Sequence, residues 1–419
     1  MMGLRVNPVW IPRLLCGWTL ALLLNTPVWS ENWTRYRGDN GTGLSDATGI
    51  PSRWSPGDYL WSKDLPGLGH SSPVIYEDRL FVTSAIEEGA LRYLYCLDSR
   101  SGKELWSRLL GMNRSHKHSK SSWASSTPVT DGRSVFVALA DKERLLLSSY
   151  DLDGRLLWRR SLGRFSSQHG HGVSPILYKD LIILPNDQKG PSSVVALEKT
   201  TGQTRWSALR SIRRTSYSTP FVLSRPGMDP QLICVSGASG VTSLKPDTGE
   251  VNWYTGEFPL RTVASPVYGG GLITATCGGG GVGKLLIAID PDGAGAVADT
   301  HIKYRIDRNL PYVPTPVVYQ GHIYLWNDNG VVRCLDVRSG KNLWTQRIGG
   351  NFSGSPICIS GKLYCMSEAG DVVVLAASPE FQRVATNPLG DPSHSTPAVA
   401  NGRLYLRTFH RIFCIGKSE

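Results

Sequence analysis

Eight times along this 419-residue chain a Ser/Thr-Pro pair opens a short apolar segment, and the intervals are nearly even. The prolines are Pro73, Pro128, Pro175, Pro220, Pro266, Pro316, Pro356 and Pro397, spaced 55, 47, 45, 46, 50, 40 and 41 residues apart. Behind each pair the same phrase recurs: an apolar strand, a Gly or Asp turn, and a second apolar strand. A third strand follows, then a polar turn and a short strand carrying Trp. The fullest copies are Tyr95-Cys-Leu-Asp-Ser-Arg-Ser-Gly-Lys-Glu-Leu-Trp106 and Cys334-Leu-Asp-Val-Arg-Ser-Gly-Lys-Asn-Leu-Trp344, with looser ones ending at Trp158, Trp206 and Trp253. A unit this small cannot bury both faces of its own sheet and must stack on its neighbours. Eight four-stranded units at this period predict an all-β fold, an eight-bladed β-propeller of antiparallel blades.

The two ends of the chain complete each other. Tyr59-Leu-Trp-Ser-Lys-Asp-Leu65 matches the Trp-bearing strand but has no strands before it, and the last unit stops after Ile412–Ile415 without one. The N-terminal strand around Trp61 is therefore expected to close the last blade, which removes the open sheet edges that invite aggregation.

Strands within a blade are labelled a to d from the axis outward. In blade 6 they are expected at 316–319, 322–326, 331–335 and 342–347. Pro costs little at the first residue of strand a, and Gly in the c–d turn supplies positive φ. Trp on strand d buries a large area and is expected to peg neighbouring blades together. Blades 5 and 7 lack it, with Ile306 and Val384 near the slot, and should be less regular.

Residues 1–30 read as a secretory leader: Arg5 and Arg13, an apolar run from Leu14 to Leu24, and small residues around a cleavage point near Ser30. The run is short for a bilayer span, and no later segment approaches the ~18 apolar residues one requires. Export to the periplasm or beyond follows, with no transmembrane span in the mature chain. Residues 31–57 have little periodicity and are expected to lie irregularly over a propeller spanning 58–416. Without Cys16, seven of the eight cysteines remain. Cys96, Cys334 and Cys414 share a slot that other units fill with Ala196, Ser243 or Ala288, so free, buried thiols are expected.

The repeat of apolar strand, Leu-Asp-x-x-Ser/Thr-Gly-Lys and Leu-Trp resembles the PQQ-type β-propeller repeat, found in quinoprotein dehydrogenases and in the outer-membrane assembly factor BamB. The opening Trp33-x-Arg-Tyr-Arg-Gly and the later Gly69-His-Ser-Ser-Pro73 are similar to exported BamB-like proteins. The resemblance covers 33–416. It implies the fold firmly and the function weakly, because function resides in sites.

Chain direction places the d–a and b–c loops on one face and the a–b and c–d turns on the other. His70, His116, His118, His169, His171, His394 and His410 fall on the first face. Around its mouth the expected ligand-binding set is His70, Trp123, His169, His171, Tyr217, Arg261, Tyr312, Phe352 and His394, a mixture suited to a binding funnel. His70 and His394 could share a metal, although no metal site is assigned. Gly278-Gly-Gly-Gly-Val-Gly-Lys284 fits GxxxxGK but lacks the following Ser/Thr and lies between two strands, so it reads as a flexible hairpin loop. Asp290-Pro-Asp-Gly293 and Asn327-Asp-Asn-Gly330 read as turns rather than calcium loops. Arg37-Gly-Asp39 is too short to carry meaning.

The formal charge is +11, and Arg210, Arg213, Arg214, Arg114, Lys117 and Lys120 crowd the d–a side. Anionic partners suit this surface, whereas nucleic acid does not suit an exported chain. Two functions stay in view. The first is a non-catalytic binding or scaffold protein of the cell envelope, with an envelope protein or a small anionic ligand as partner and outer-membrane assembly as its setting. The second, implied by the resemblance, is a dehydrogenase using PQQ with calcium, for which Asp307, Asp328 and Glu368 are candidate acids. No adjacent cysteine pair of the kind many such enzymes carry is present.

Overall fold

The computed structural model describes residues 2–4, 32–210 and 214–416. The unit from residue 31 onward contains eight separate sheets of four or five strands. It is the predicted eight-bladed propeller, each blade an antiparallel run a-b-c-d. Blade 1 is typical, with strands Val74–Tyr76, Arg79–Ile86, Leu91–Asp98 and Glu104–Gly111. Strands b and c are almost wholly buried while strand d is exposed at most positions, as in Leu156–Ser161 of blade 2. Each blade thus packs its inner strands against two neighbours and turns its outermost strand to solvent.

The last blade is built from both ends. Ala398–Ala400, Arg403–Arg407 and Arg411–Gly416 are joined by Tyr59–Asp64 as strand d, with Trp61 opposite Cys414. Every described cysteine is free and buried. The slot expected from sequence holds: Cys96, Cys334 and Cys414 face Trp106, Trp344 and Trp61 across the c–d pair.

The tryptophans on strand d are pegs with a polar tip. The indole Nε1–H groups of Trp61, Trp106, Trp158, Trp206, Trp253 and Trp344 donate to the carbonyls of Ser99, Leu152, Lys199, Pro246, Pro291 and Ser378, each at 2.8–3.1 Å. Every acceptor lies in the c–d turn of the next blade. Glycine in that turn lets the ring approach: a Cβ on Gly102, at φ +71°, would stand 2.5 Å from Trp61. Blade 5 keeps the arrangement with another residue. Tyr304 pairs with Ala288 in the slot, and its hydroxyl donates to Val337 O at 2.9 Å. Blade 7 places Ala385 there, in the same buried cluster as Trp54 from the N-terminal segment.

The Ser/Thr-Pro pairs form a second ring, nearer the axis. The amide of Ser72 donates to Thr127 Oγ1, and the relation repeats from Thr127 to Ser174, Thr219, Ser265, Thr315, Ser355 and Thr396, all at 2.9–3.3 Å. The hydroxyl before seven of the eight prolines therefore clasps the blade preceding it, and at the junction of the last blade with the first Ser395 Oγ donates to Ser71 O instead.

Residues 32–57 do not merely lie over the ring. Residues 33–45 thread its axis against the innermost strands, and residues 52–54 run out to the outermost strand of blade 7. Trp33 bridges Ile75 of blade 1, Arg35 donates to Pro220 O of blade 4, and Leu44–Ser45 adds a parallel fifth strand to blade 7. Arg37 is fully buried at the centre, where its guanidinium donates to the carbonyls of Thr315, Pro316 and Pro356. A stretch with no periodicity is thus ordered by contacts to blades 1, 4, 6 and 7.

Candidate functional site

The threaded segment closes the axis below and leaves a cavity of about 380 Å³ above it, on the d–a face. Tyr36 is its base, its hydroxyl bonded to Ser355 Oγ at 2.9 Å. Just above lie six hydroxyls of the inner ring: Ser72, Thr127, Ser174, Thr219, Ser265 and Thr396. The walls carry His70, His118, His169, His394, Lys120, Tyr217, Arg261, Tyr312 and Asp328, with Val263 and Val313 between them.

Six of the nine residues expected from sequence meet here: His70, His169, Tyr217, Arg261, Tyr312 and His394. Trp123, His171 and Phe352 do not line the cavity. Trp123 folds back into its own loop, donates to Ser115 O and carries the Lys117 ammonium over its ring. His171 is buried edge-on against Phe165, and Phe352 packs against Trp326. The repeat fixes where a d–a loop begins, but local packing decides which way each side chain points.

Tyr36, His118 and Lys120 are among the lining residues outside the expected set. Tyr36 comes from the threaded segment, His118 from the insertion between blades 1 and 2, and Lys120 from two residues further along. The count of histidines on one face was the available signal for His118. Among the candidate acids, Asp328 faces the cavity. Glu368 lies beside it, bonded to Ser353 and Lys120, and Asp307 is exposed and paired with Arg308.

Burial favours the neutral form of His70, His169 and His394. Burial drives the His70 pKa well below its ordinary value, with repulsion from His394, Arg407 and Lys117 adding to the effect. Burial also takes His169 down to about 4, assisted by Arg261. Arg261 Nη1 approaches His169 Nε2 at 3.3 Å. A guanidinium only donates, so Nε2 accepts and the ring proton sits on Nδ1, which is buried and without a partner among the described residues. His394 lies 4.6 Å from His70, ring centre to ring centre, with the planes tilted by 60°, and donates to Lys120 O through Nδ1. Burial lifts the Asp328 carboxyl to about 6, although its oxygens accept the Tyr312 and Val313 amides.

One sequence reading holds in this region and one changes. The glycine run is a tight hairpin between Leu272–Gly279 and Val282–Ile289, with Gly280 and Gly281 at the cavity rim. Arg210 belongs to no open basic surface but forms a buried pair with Asp187 at 3.4 Å. Arg213 lies outside the described residues. Among the described residues no group of three or more His, Cys, Asp or Glu comes together as a metal site, and no helix is long and apolar enough to cross a membrane.

Comparison with known proteins agrees with this architecture. BamB of Yersinia pestis, an outer membrane protein assembly factor, is 24% identical over 292 residues, covering 66% of this chain and 70% of that protein. The same factor from Alteromonas naphthalenivorans is 26% identical over 289 residues, covering 63% of this chain and 64% of its own length, just under two thirds. Among solved structures, BamB from Moraxella catarrhalis superposes with a TM-score of 0.59 at 13% identity, covering 86% of this chain and 99% of that one. A quinohemoprotein alcohol dehydrogenase from Comamonas testosteroni reaches 0.67, also at 13%, covering 93% and 81%. At such identities the two structures establish the fold alone. The family described as outer membrane protein assembly factor BamB matches residues 52–255, 221–385 and 328–415, and this chain belongs to it.

Proposed function

We propose that the protein is a non-catalytic scaffold of the cell envelope, exported by its N-terminal leader and acting in the assembly of outer-membrane proteins. The observation that carries this reading is the family match from residue 52 to 415 on a rigid, closed ring. Such a ring offers loops fixed in space and leaves only the short outer strand of a blade as an edge. The relatives are named for that assembly role.

The donor set of the axial cavity supports the same reading. A calcium ion beside a quinone needs six to eight oxygen ligands, carboxylates prominent among them. The cavity offers one carboxylate, Asp328, whose oxygens already accept two backbone amides. The remaining wall is imidazole, hydroxyl, ammonium and guanidinium. These residues do not fit calcium-held PQQ.

The test is cross-linking in the envelope. A photoreactive residue at Lys142 or Lys189, both exposed in b–c loops, is compared with one at Arg100 on the opposite face. Enrichment of outer-membrane assembly proteins from the first two positions is the expected result. Saturable, calcium-dependent binding of PQQ with turnover in a dye-linked assay would overturn the scaffold reading.

A further inference from the structure

The axial cavity is rich in donors whose partners are not supplied by the protein. Among the ring hydroxyls, Thr127, Ser174, Thr219, Ser265 and Thr396 each accept one amide N–H. A hydroxyl also carries a proton to donate, and none of the five donates to an acceptor among the described residues. Their position in the cavity base directs that capacity to the axis.

Higher on the wall stands Arg261. Its guanidinium reaches His169 and the amide oxygen of Gln168, both neutral, and its buried Nε has no partner. No carboxylate pairs with it among the described residues. A half-buried guanidinium with neutral neighbours leaves its charge to be balanced by whatever enters the cavity. Lys120, by contrast, already holds Glu368 at 2.8 Å. The same cavity is lined by the rings of Tyr217 and Tyr312 and the side chains of Val263 and Val313. These are flat or apolar surfaces suited to the C–H face of a saturated ring.

We propose that this cavity binds a small sugar acid of one or two rings, its carboxylate on Arg261 and its hydroxyl oxygens on the Ser/Thr ring. A sugar hydroxyl must also donate, and the unpartnered Nε2 of His70 and the carboxyl of Asp328 are there to accept. The ligand class follows from the two halves together. Guanidinium alone would suit any anion, and the hydroxyl ring alone would suit any polyol. Binding of this kind is independent of the scaffold role, so the two readings can fail separately.

Calorimetric titration of the purified protein tests the proposal with D-glucuronate, D-galacturonate, D-glucose, succinate and inorganic phosphate. Saturable binding of a uronate, at least 10-fold tighter than glucose, succinate or phosphate, is the expected result. In Arg261→Gln the uronate is expected to weaken to the level of glucose, while the melting temperature and the Lys142 cross-links stay unchanged. Thr219→Ser, which keeps the hydroxyl, should bind as the parent does. Absence of saturable binding overturns the proposal. So does equal binding of succinate or phosphate, which removes the sugar, or of glucose, which removes the acid. A uronate affinity indifferent to Arg261→Gln places the ligand elsewhere and overturns it too.

Discussion

Trp61 donates its indole N–H to Ser99 O at 3.1 Å, and Tyr405 donates its hydroxyl to the same carbonyl at 3.2 Å. One residue comes from the start of the fold and the other from near its end, and both grip the first blade. The ring is sealed at this point.

Loss of that seal should be costly. Trp61→Ala is expected to destabilise by about 3–5 kcal/mol, as large core truncations do. Trp61→Phe keeps most of the packing and loses the hydrogen bond, for about 1 kcal/mol. Urea denaturation of both variants checks the order; equal effects would show that packing is irrelevant to the seam.

The inner ring makes a sharper chemical prediction. Thr219 Oγ1 accepts the Ser174 amide at 3.3 Å in a buried setting. Thr219→Val preserves shape but strands that N–H, at a cost of about 1–3 kcal/mol. Thr219→Ser restores an acceptor and should recover most of the loss. Denaturant midpoints of the two variants separate hydroxyl chemistry from volume.

What sequence reading captured was whatever repeats. The Ser/Thr-Pro clasp, the Trp peg and its glycine recur in unit after unit, so blade count and closure through Trp61 were legible. Singular features were not. Tyr304 took the peg slot of blade 5 because an insertion before Ile302–Ile306, including Gly295–Ala296 paired to blade 4, moves the strand off the period. Arg37 and Tyr36 lie in the one stretch with no periodicity, and only long-range contacts reveal that this stretch fills the axis. His171 and Phe352 are aromatic residues in mouth loops whose packing partners, Phe165 and Trp326, drew them away from the cavity.

The thiols give a simple check on packing. Burial raises the pKa of Cys96, Cys234, Cys358 and Cys414 to about 12, and of Cys277 and Cys334 to about 11. Reaction needs the thiolate and access to it. Native protein should therefore leave these six and Cys365 unmodified by a thiol reagent, and denatured protein should expose all seven.

Arg37 should govern whether the threaded segment stays in place. Arg37→Met removes the donors to Thr315, Pro316 and Pro356 and leaves those carbonyls buried. The expected loss is about 2–4 kcal/mol. Much of it should appear as local release, because Arg37 ties the segment to blades 6 and 7 where Leu44–Ser45 adds only a two-residue strand. Tryptic cleavage after the exposed Arg53 is expected to accelerate at least tenfold under native conditions, a rise of about 1.4 kcal/mol or more in the opening equilibrium. An unchanged cleavage rate would mean the segment is anchored elsewhere.

His171 contributes to the response to acid alongside His70, His169 and His394. Both ring nitrogens are buried without a partner among the described residues, and burial together with the nearby Arg92 pushes its pKa down to about 3. The unfolded chain takes up this proton near 6.5, whereas the folded chain refuses it until about 3. The stability tied to the neutral ring is therefore complete above pH 6.5 and falls as pH drops from 6.5 towards 3. The difference corresponds to several kcal/mol, on the order of 1.4 per pH unit across that window. His171→Phe keeps an aromatic ring against Phe165 and has nothing to protonate. Its stability measured against pH should run flatter than the parent's between 6.5 and 4, with the two converging in slope above pH 7. Parallel curves across the acid range would show that His171 is solvated and free to take its proton in the folded ring.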